Sequence, residues 1–101
     1  MFQIIYSEQA SDDLAEIAAY YAGQGGVPLA DNIIQRITAD IQKLAYNPKI
    51  TQASLLVAGF YDRIIYKLPY RALFTIDEAV NEILIVRVVH TSRIFPLSQS
   101  F

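Results

Sequence analysis

Apolar and polar positions change rhythm three times along this chain, and each rhythm predicts a different element. Phe2-Gln3-Ile4-Ile5-Tyr6 is a short β-branched and aromatic run, which predicts a strand ending at Ser7. Ser7 also suits a helix N-cap, because its hydroxyl accepts a bond from a first-turn amide, and Glu8, Asp12 and Asp13 suit the positive end of the helix that follows. Ala10, Leu14, Ile17, Ala18 and Tyr21 recur at helical spacing, so the first helix is predicted over residues 8–22. Asp12 and Asp13 are adjacent and point to different helix faces, which reads as a solvated first turn and not as a paired carboxylate site.

Gly23-Gln24-Gly25-Gly26 interrupts the helical rhythm, and Pro28 opens a second helix where its missing N–H has no intrahelical partner to lose. Leu29, Ala30, Ile33, Ile34, Ile37, Ile41, Leu44 and Ala45 line one face of it, and Asn47-Pro48 stops it. Two amphipathic helices with a short link make a helix hairpin. Residues 49–61 lack periodicity and read as a connecting loop. Residues 62–68, 70–77 and 82–90 are then three β-prone runs, which predict an antiparallel meander. The last is apolar on both faces and belongs inside the sheet. The predicted fold is α+β over a single domain, residues 1–101. An N-terminal strand and a helix hairpin precede a three-stranded meander, the hairpin packs on one face of the sheet, and the first strand joins beside the last.

Charge divides the chain in two. Residues 1–42 hold six acids and one base, whereas residues 43–101 hold seven bases and four acids. A free-standing nucleic-acid binder is usually basic throughout, so any such role is confined to the second half. With 53% of residues apolar, an exposed groove and a protein partner are expected. The helix hairpin's leftover apolar surface would equally support a homodimer. Cysteine is absent, which excludes disulfides and thiolate chemistry. No His pair, phosphate loop or nucleophile turn is present, and no metal or cofactor is expected. The first residues lack a basic leader and are soon interrupted by acids, so a cytoplasmic protein is the expectation.

Period-2 reading gives a candidate site. Arg63, Ile65 and Lys67 share one side of the first meander strand, Arg71, Leu73 and Thr75 one side of the second, and Arg87 shares a side of the last with Ile85 and Val89. If those sides coincide, a basic patch forms, and a one-residue change of register would scatter it. His90, the only histidine, closes the last strand. Metal-free phosphodiester cleavage would use His90 as general acid or base, with arginines neutralising charge on the phosphorus-bound oxygens. The competing reading is structural: strand arginines pair with carboxylates, and a lone strand-end histidine packs or faces solvent. The seven tyrosines read as core or groove residues, and Tyr66 and Tyr70, which flank the basic strands, could alternatively stack on a base.

Four strings occur in an order that resembles the RelE/ParE superfamily of toxins from bacterial toxin–antitoxin systems. They are Asp13-Leu14-Ala15-Glu16-Ile17-Ala18-Ala19-Tyr20-Tyr21, Ile41-Gln42-Lys43-Leu44-Ala45-Tyr46-Asn47-Pro48, Tyr70-Arg71, and Val86-Arg87-Val88-Val89-His90-Thr91-Ser92-Arg93. The resemblance spans nearly the whole chain. It implies a toxin whose cognate antitoxin folds over its surface and masks its site, with the apolar tail Ile94-Phe95-Pro96-Leu97 as part of that surface. RelE-like members resemble ribosome-dependent mRNA endonucleases that rely on clustered basic residues, and here Arg71, Arg87 and His90 match such positions. ParE-like members resemble inhibitors of DNA gyrase and lack the cluster. The scarcity of lysine, at positions 43, 49 and 67 only, and the ending His90-Thr91-Ser92-Arg93-Ile94-Phe95-Pro96 favour the ParE-like reading. A binding inhibitor of that kind would use exposed contacts, for which Arg63, Lys67, Tyr70, Arg71, Arg93 and Phe95 are the candidates.

Overall fold

The computed structural model describes residues 1–47, 52–53 and 59–92. Strand β1 (Gln3–Tyr6) leads into helix α1 (Glu8–Gly25), capped by the Ser7 hydroxyl, which accepts the Ala10 N–H at 3.0 Å. Helix α1 runs one turn further into the glycine-rich segment than the sequence suggests. The break falls at Gly26, whose φ of +89° is disfavoured for any residue with a Cβ. Helix α2 (Val27–Gln42) carries Pro28 in its first turn and ends in a 3-10 turn, Lys43–Ala45.

Strands β2 (Gln52–Ala53), β3 (Tyr61–Ile64), β4 (Tyr70–Asp77) and β5 (Glu82–His90) complete one five-stranded sheet in the order β1-β5-β4-β3-β2. The meander is antiparallel, and β1 lies parallel to β5 with Gln3 opposite Glu82 and Tyr6 opposite Ile85. The expected architecture is thus present, with one addition: the segment read as a loop contributes the short edge strand β2. The first meander strand is also shorter than its β-prone run, because the chain turns at residues 65–69 with Lys67 in the left-handed region at φ 59°.

The core lies between the helix hairpin and one face of the sheet. Ile17 of α1 and Ile33, Ile37 and Ile41 of α2 pack with Ala72 and Phe74 of β4 and Ile83, Ile85 and Val88 of β5. Along β4, Tyr70, Ala72 and Phe74 alternate toward the helices, as a one-sided pleat requires. Strand β5 does not alternate so simply. Phe74 pairs with Ile85 while Leu73 pairs with Arg87, which leaves Val86 as an extra residue in a bulge. The sequence reading put Arg87 on one side with Ile85. The bulge separates them, since Ile85 faces the helices while Arg87 is opposite Leu73.

Polar tethers tie the layers together. Strand β1 stops at Tyr6, so the β5 edge beyond Ile85 has lost its neighbour, and the start of α1 takes its place. The Ser7 hydroxyl donates to the Val86 carbonyl at 2.8 Å, and Asp13 Oδ2 accepts the Val88 N–H at 2.9 Å. The same Asp13 carboxylate holds Arg87 in a two-pronged pair at 2.8 and 3.0 Å. Asp13 is buried, at 8% exposure, which corrects its reading as a solvated first-turn acid. Its partner stands 74 residues away and is invisible to helix periodicity. Asp40 of α2 is likewise buried and takes two bonds from Arg63, both 3.1 Å, with the Tyr66 N–H at 3.4 Å and Lys43 Nζ at 3.5 Å. The third pair, Arg71 with Asp62 at 3.1 Å, joins β4 to β3 and leaves Arg71 Nε and Asp62 Oδ1 buried without a partner among the described residues.

Two outcomes follow for stability. Asp13→Ala removes the two-pronged carboxylate contact from Arg87 and the acceptor of the Val88 N–H, so urea unfolding should show a loss of about 3 kcal/mol, while Asp12→Ala, an exposed neighbour, should change stability by less than about 0.5 kcal/mol. At Asp40, burial pulls the carboxyl's pKa upward, but the Arg63 hydrogen bonds and charge, the Tyr66 N–H and Lys43 outweigh it and hold the pKa below the ordinary 3.8. A carboxyl lowered on folding stabilises the protein above its unfolded value and loses that contribution as pH falls through its folded value. Thermal unfolding from pH 6 down to pH 2 should therefore show an acid-side loss that is shallower in Asp40→Asn than in the parent.

Candidate functional site

A cleft of about 530 Å³ opens where the second half of α1 crosses the ends of β4 and β5. Helix α1 supplies Glu16, Ile17, Tyr20 and Tyr21 from consecutive turns, because positions three and four apart share a face. Tyr70 begins β4 and His90 ends β5, and the antiparallel register sets them directly opposite each other. The aromatic rings meet in series. Tyr20 and Tyr21 are 5.0 Å apart and 86° inclined, Tyr21 and Tyr70 6.5 Å and 69°, and Tyr70 and His90 5.6 Å and 79°. Each ring edge meets the face of the next, the arrangement that aromatic quadrupoles favour.

Tyr70 is buried, and its hydroxyl lies 3.5 Å from that of Tyr21. Burial first, and the bond to Tyr21 second, push its pKa above the ordinary 10.0, so it stays a neutral donor and has no role as a base near neutrality. His90 is exposed. Its Nδ1 accepts the Ser92 N–H at 3.1 Å, with Ser92 Oγ 2.7 Å away, which leaves the neutral ring's proton on Nε2.

The structure brings His90 and Tyr70 together but disperses the arginines. Arg63 lies opposite Ala72 on the helix-facing side, while Arg71 lies opposite Ile64 on the other. Arg87 sits at the β5 edge against α1. Register and bulge thus scatter the expected basic patch, and Asp40, Asp62 and Asp13 each neutralise one of its members. The hydrogen bonds that Arg87 donates to Asp13, opposed by burial, raise the Arg87 pKa, so its cation is permanent and held in place. Lys67 is exposed in the β3–β4 turn, with its ammonium 5.3 Å from the Tyr66 ring centroid. Arg93, Phe95 and the apolar tail lie outside the described residues.

Sequence reasoning missed Glu16, Tyr20 and the buried aspartates. A signal for the latter was present: Ala10, Asp13 and Ile17, like Ile33, Ile37, Asp40 and Leu44, follow the helical repeat, so each acid sits on an apolar stripe. The acidic cleft follows from that same α1 face. Among the described residues, no group of His, Cys, Asp and Glu is arranged to hold a metal ion, and no helix is long and apolar enough to cross a membrane.

The fold has close counterparts. The chain is similar to a chain of the chromosomal ParDE toxin–antitoxin system from P. aeruginosa, with a TM-score of 0.78 and 24% identity, covering 89% of this chain and 96% of that one. It is similar to a chain of the intact E. coli RelBE toxin–antitoxin complex, with a TM-score of 0.66 and 10% identity over 92% and 100% of the two chains. A chain of the YoeB-YefM complex from Staphylococcus aureus gives a TM-score of 0.55 and 22% identity over 89% and 97%. At these identities the likeness is one of fold. No curated protein matches the sequence significantly. The profile of the family described as the ParE toxin of the type II toxin–antitoxin system parDE matches residues 4–95, and this chain belongs to that family.

Proposed function

We propose that the chain is a toxin that acts in the cytoplasm by binding and inhibiting DNA gyrase, without chemistry of its own, and that a cognate antitoxin neutralises it. Family membership supports the toxin assignment, and the structural neighbours, which come from toxin–antitoxin complexes, support the antitoxin. The choice of inhibition over RNA cleavage rests on one observation. The three strand arginines are each committed to an aspartate, and among the described residues the carboxylates Asp13 and Glu16 line the cleft beside His90. A scissile phosphate there would meet carboxylates, with no described guanidinium lining the cleft to neutralise the charge that grows on its oxygens.

The alternative, ribosome-dependent mRNA cleavage, draws on the orientation of His90 by Ser92, which leaves an Nε2 proton to donate. Its partners would be the ribosome and mRNA, with Arg71, Arg87 and His90 as the catalytic group.

Purified protein should inhibit supercoiling by gyrase at near-stoichiometric concentration and leave transcripts intact in a translating extract. His90→Ala should retain at least half of the inhibition. Transcript cleavage that falls by about a hundredfold or more in His90→Ala would overturn the reading in favour of the nuclease.

A further inference from the structure

The cleft that serves no phosphate is built for the opposite charge. We infer that it receives an arginine or lysine side chain from the antitoxin, an inference that rests on the toxin–antitoxin reading above. Tyr20, exposed, and Tyr21, half-buried, bring aromatic rings to the cleft, with the buried Tyr70 packed edge-on behind Tyr21. A cation is attracted to the faces of such rings, and the attraction strengthens where water is displaced. Glu16, exposed at the rim on α1, supplies the counter-charge. Asp13, also in the lining, accepts the Arg87 hydrogen bonds directly, while Glu16 senses the Arg87 charge from the rim and is the exposed carboxylate that an incoming cation would meet first.

The surroundings are acidic on balance, with three carboxylates against one guanidinium. A second concavity on α1, bounded by Gln9, Asp12, Asp13, Glu16 and Arg87, shares Asp13 and Glu16 with the cleft. A polypeptide crossing this face of α1 therefore meets an acidic strip that ends in the tyrosine corner. A volume of about 530 Å³ exceeds the space of one guanidinium or ammonium and admits its flanking residues as well, which fits a side chain delivered by a peptide better than a free small cation.

The test has two arms on the intact chain. In the first, acetyl-Ala-Arg-Ala-amide is titrated against the protein while its aromatic resonances are followed by NMR, beside the isosteric citrulline peptide. Millimolar shifts at Tyr20, Tyr21 and Tyr70 with arginine, and none with citrulline, support a cation site, whereas equal or absent shifts overturn it. Binding that emerges only after removal of residues 93–101 assigns the cleft to the chain's own end and also overturns the proposal. In the second arm, calorimetry measures the antitoxin encoded beside the toxin against the parent, Glu16→Gln and Tyr20→Leu, both exposed positions whose substitution leaves the core intact. Roughly tenfold weaker binding by either variant supports the antitoxin as source. Unchanged affinity overturns it while leaving the toxin–antitoxin reading in place, and absence of any antitoxin binding to the parent overturns that reading itself.

Discussion

Burying a carboxylate on a helix's apolar face is tolerable only if a fixed cation meets it, and this constraint organises the molecule. Both helices carry one such acid. Asp13 docks α1 against Arg87 and the Val88 N–H of β5, and Asp40 docks α2 against Arg63 of β3. Apolar contacts between the hairpin and the sheet are permissive about sliding by a turn, whereas a two-pronged guanidinium–carboxylate bond is satisfied at one setting. The pairs therefore contribute alignment more than net stability, because desolvation offsets much of their attraction. Asp13 does more than the others, since it also closes the strand edge that β1 leaves open.

That arrangement decides what the remaining surface offers. Arginines committed as tethers are not available to phosphates, so among the described residues the cleft beside the lone histidine takes its charge from Asp13 and Glu16. The same α1 face that provides Asp13 to the interior provides Glu16 and the tyrosines to the cleft. Scaffold and surface chemistry are thus set by neighbouring positions on one helix.

Much of the architecture was legible in residue order. Ser7 as a cap, the helical stripes, the glycine-rich break and the doubly apolar final strand are local signals, and each led to the observed element. Strand β2 escaped because two residues carry no periodicity. The site was less legible, for physical reasons of two kinds. Register is a property of a pair of strands, and the bulge at Val86 cancels the period-2 rule within a single strand, so Arg87 could not be placed from its spacing to Ile85. Ion pairs depend on tertiary approach, and the separation of Asp13 from Arg87 hides their partnership. What the sequence did contain was a mismatch: an acid on each apolar helix stripe and one base within an otherwise apolar strand.

The parallel pairing of β1 with β5 sets a temporal order. Gln3 and Glu82 are neighbours in the sheet but almost the whole chain apart in synthesis, and closing so long a loop is entropically slow. The helix hairpin, rich in local contacts, can form while Asp13 and Asp40 still face water. During translation neither the first strand nor Asp13 can reach its partner until the last strand has emerged, so the sheet closes only at the end of synthesis.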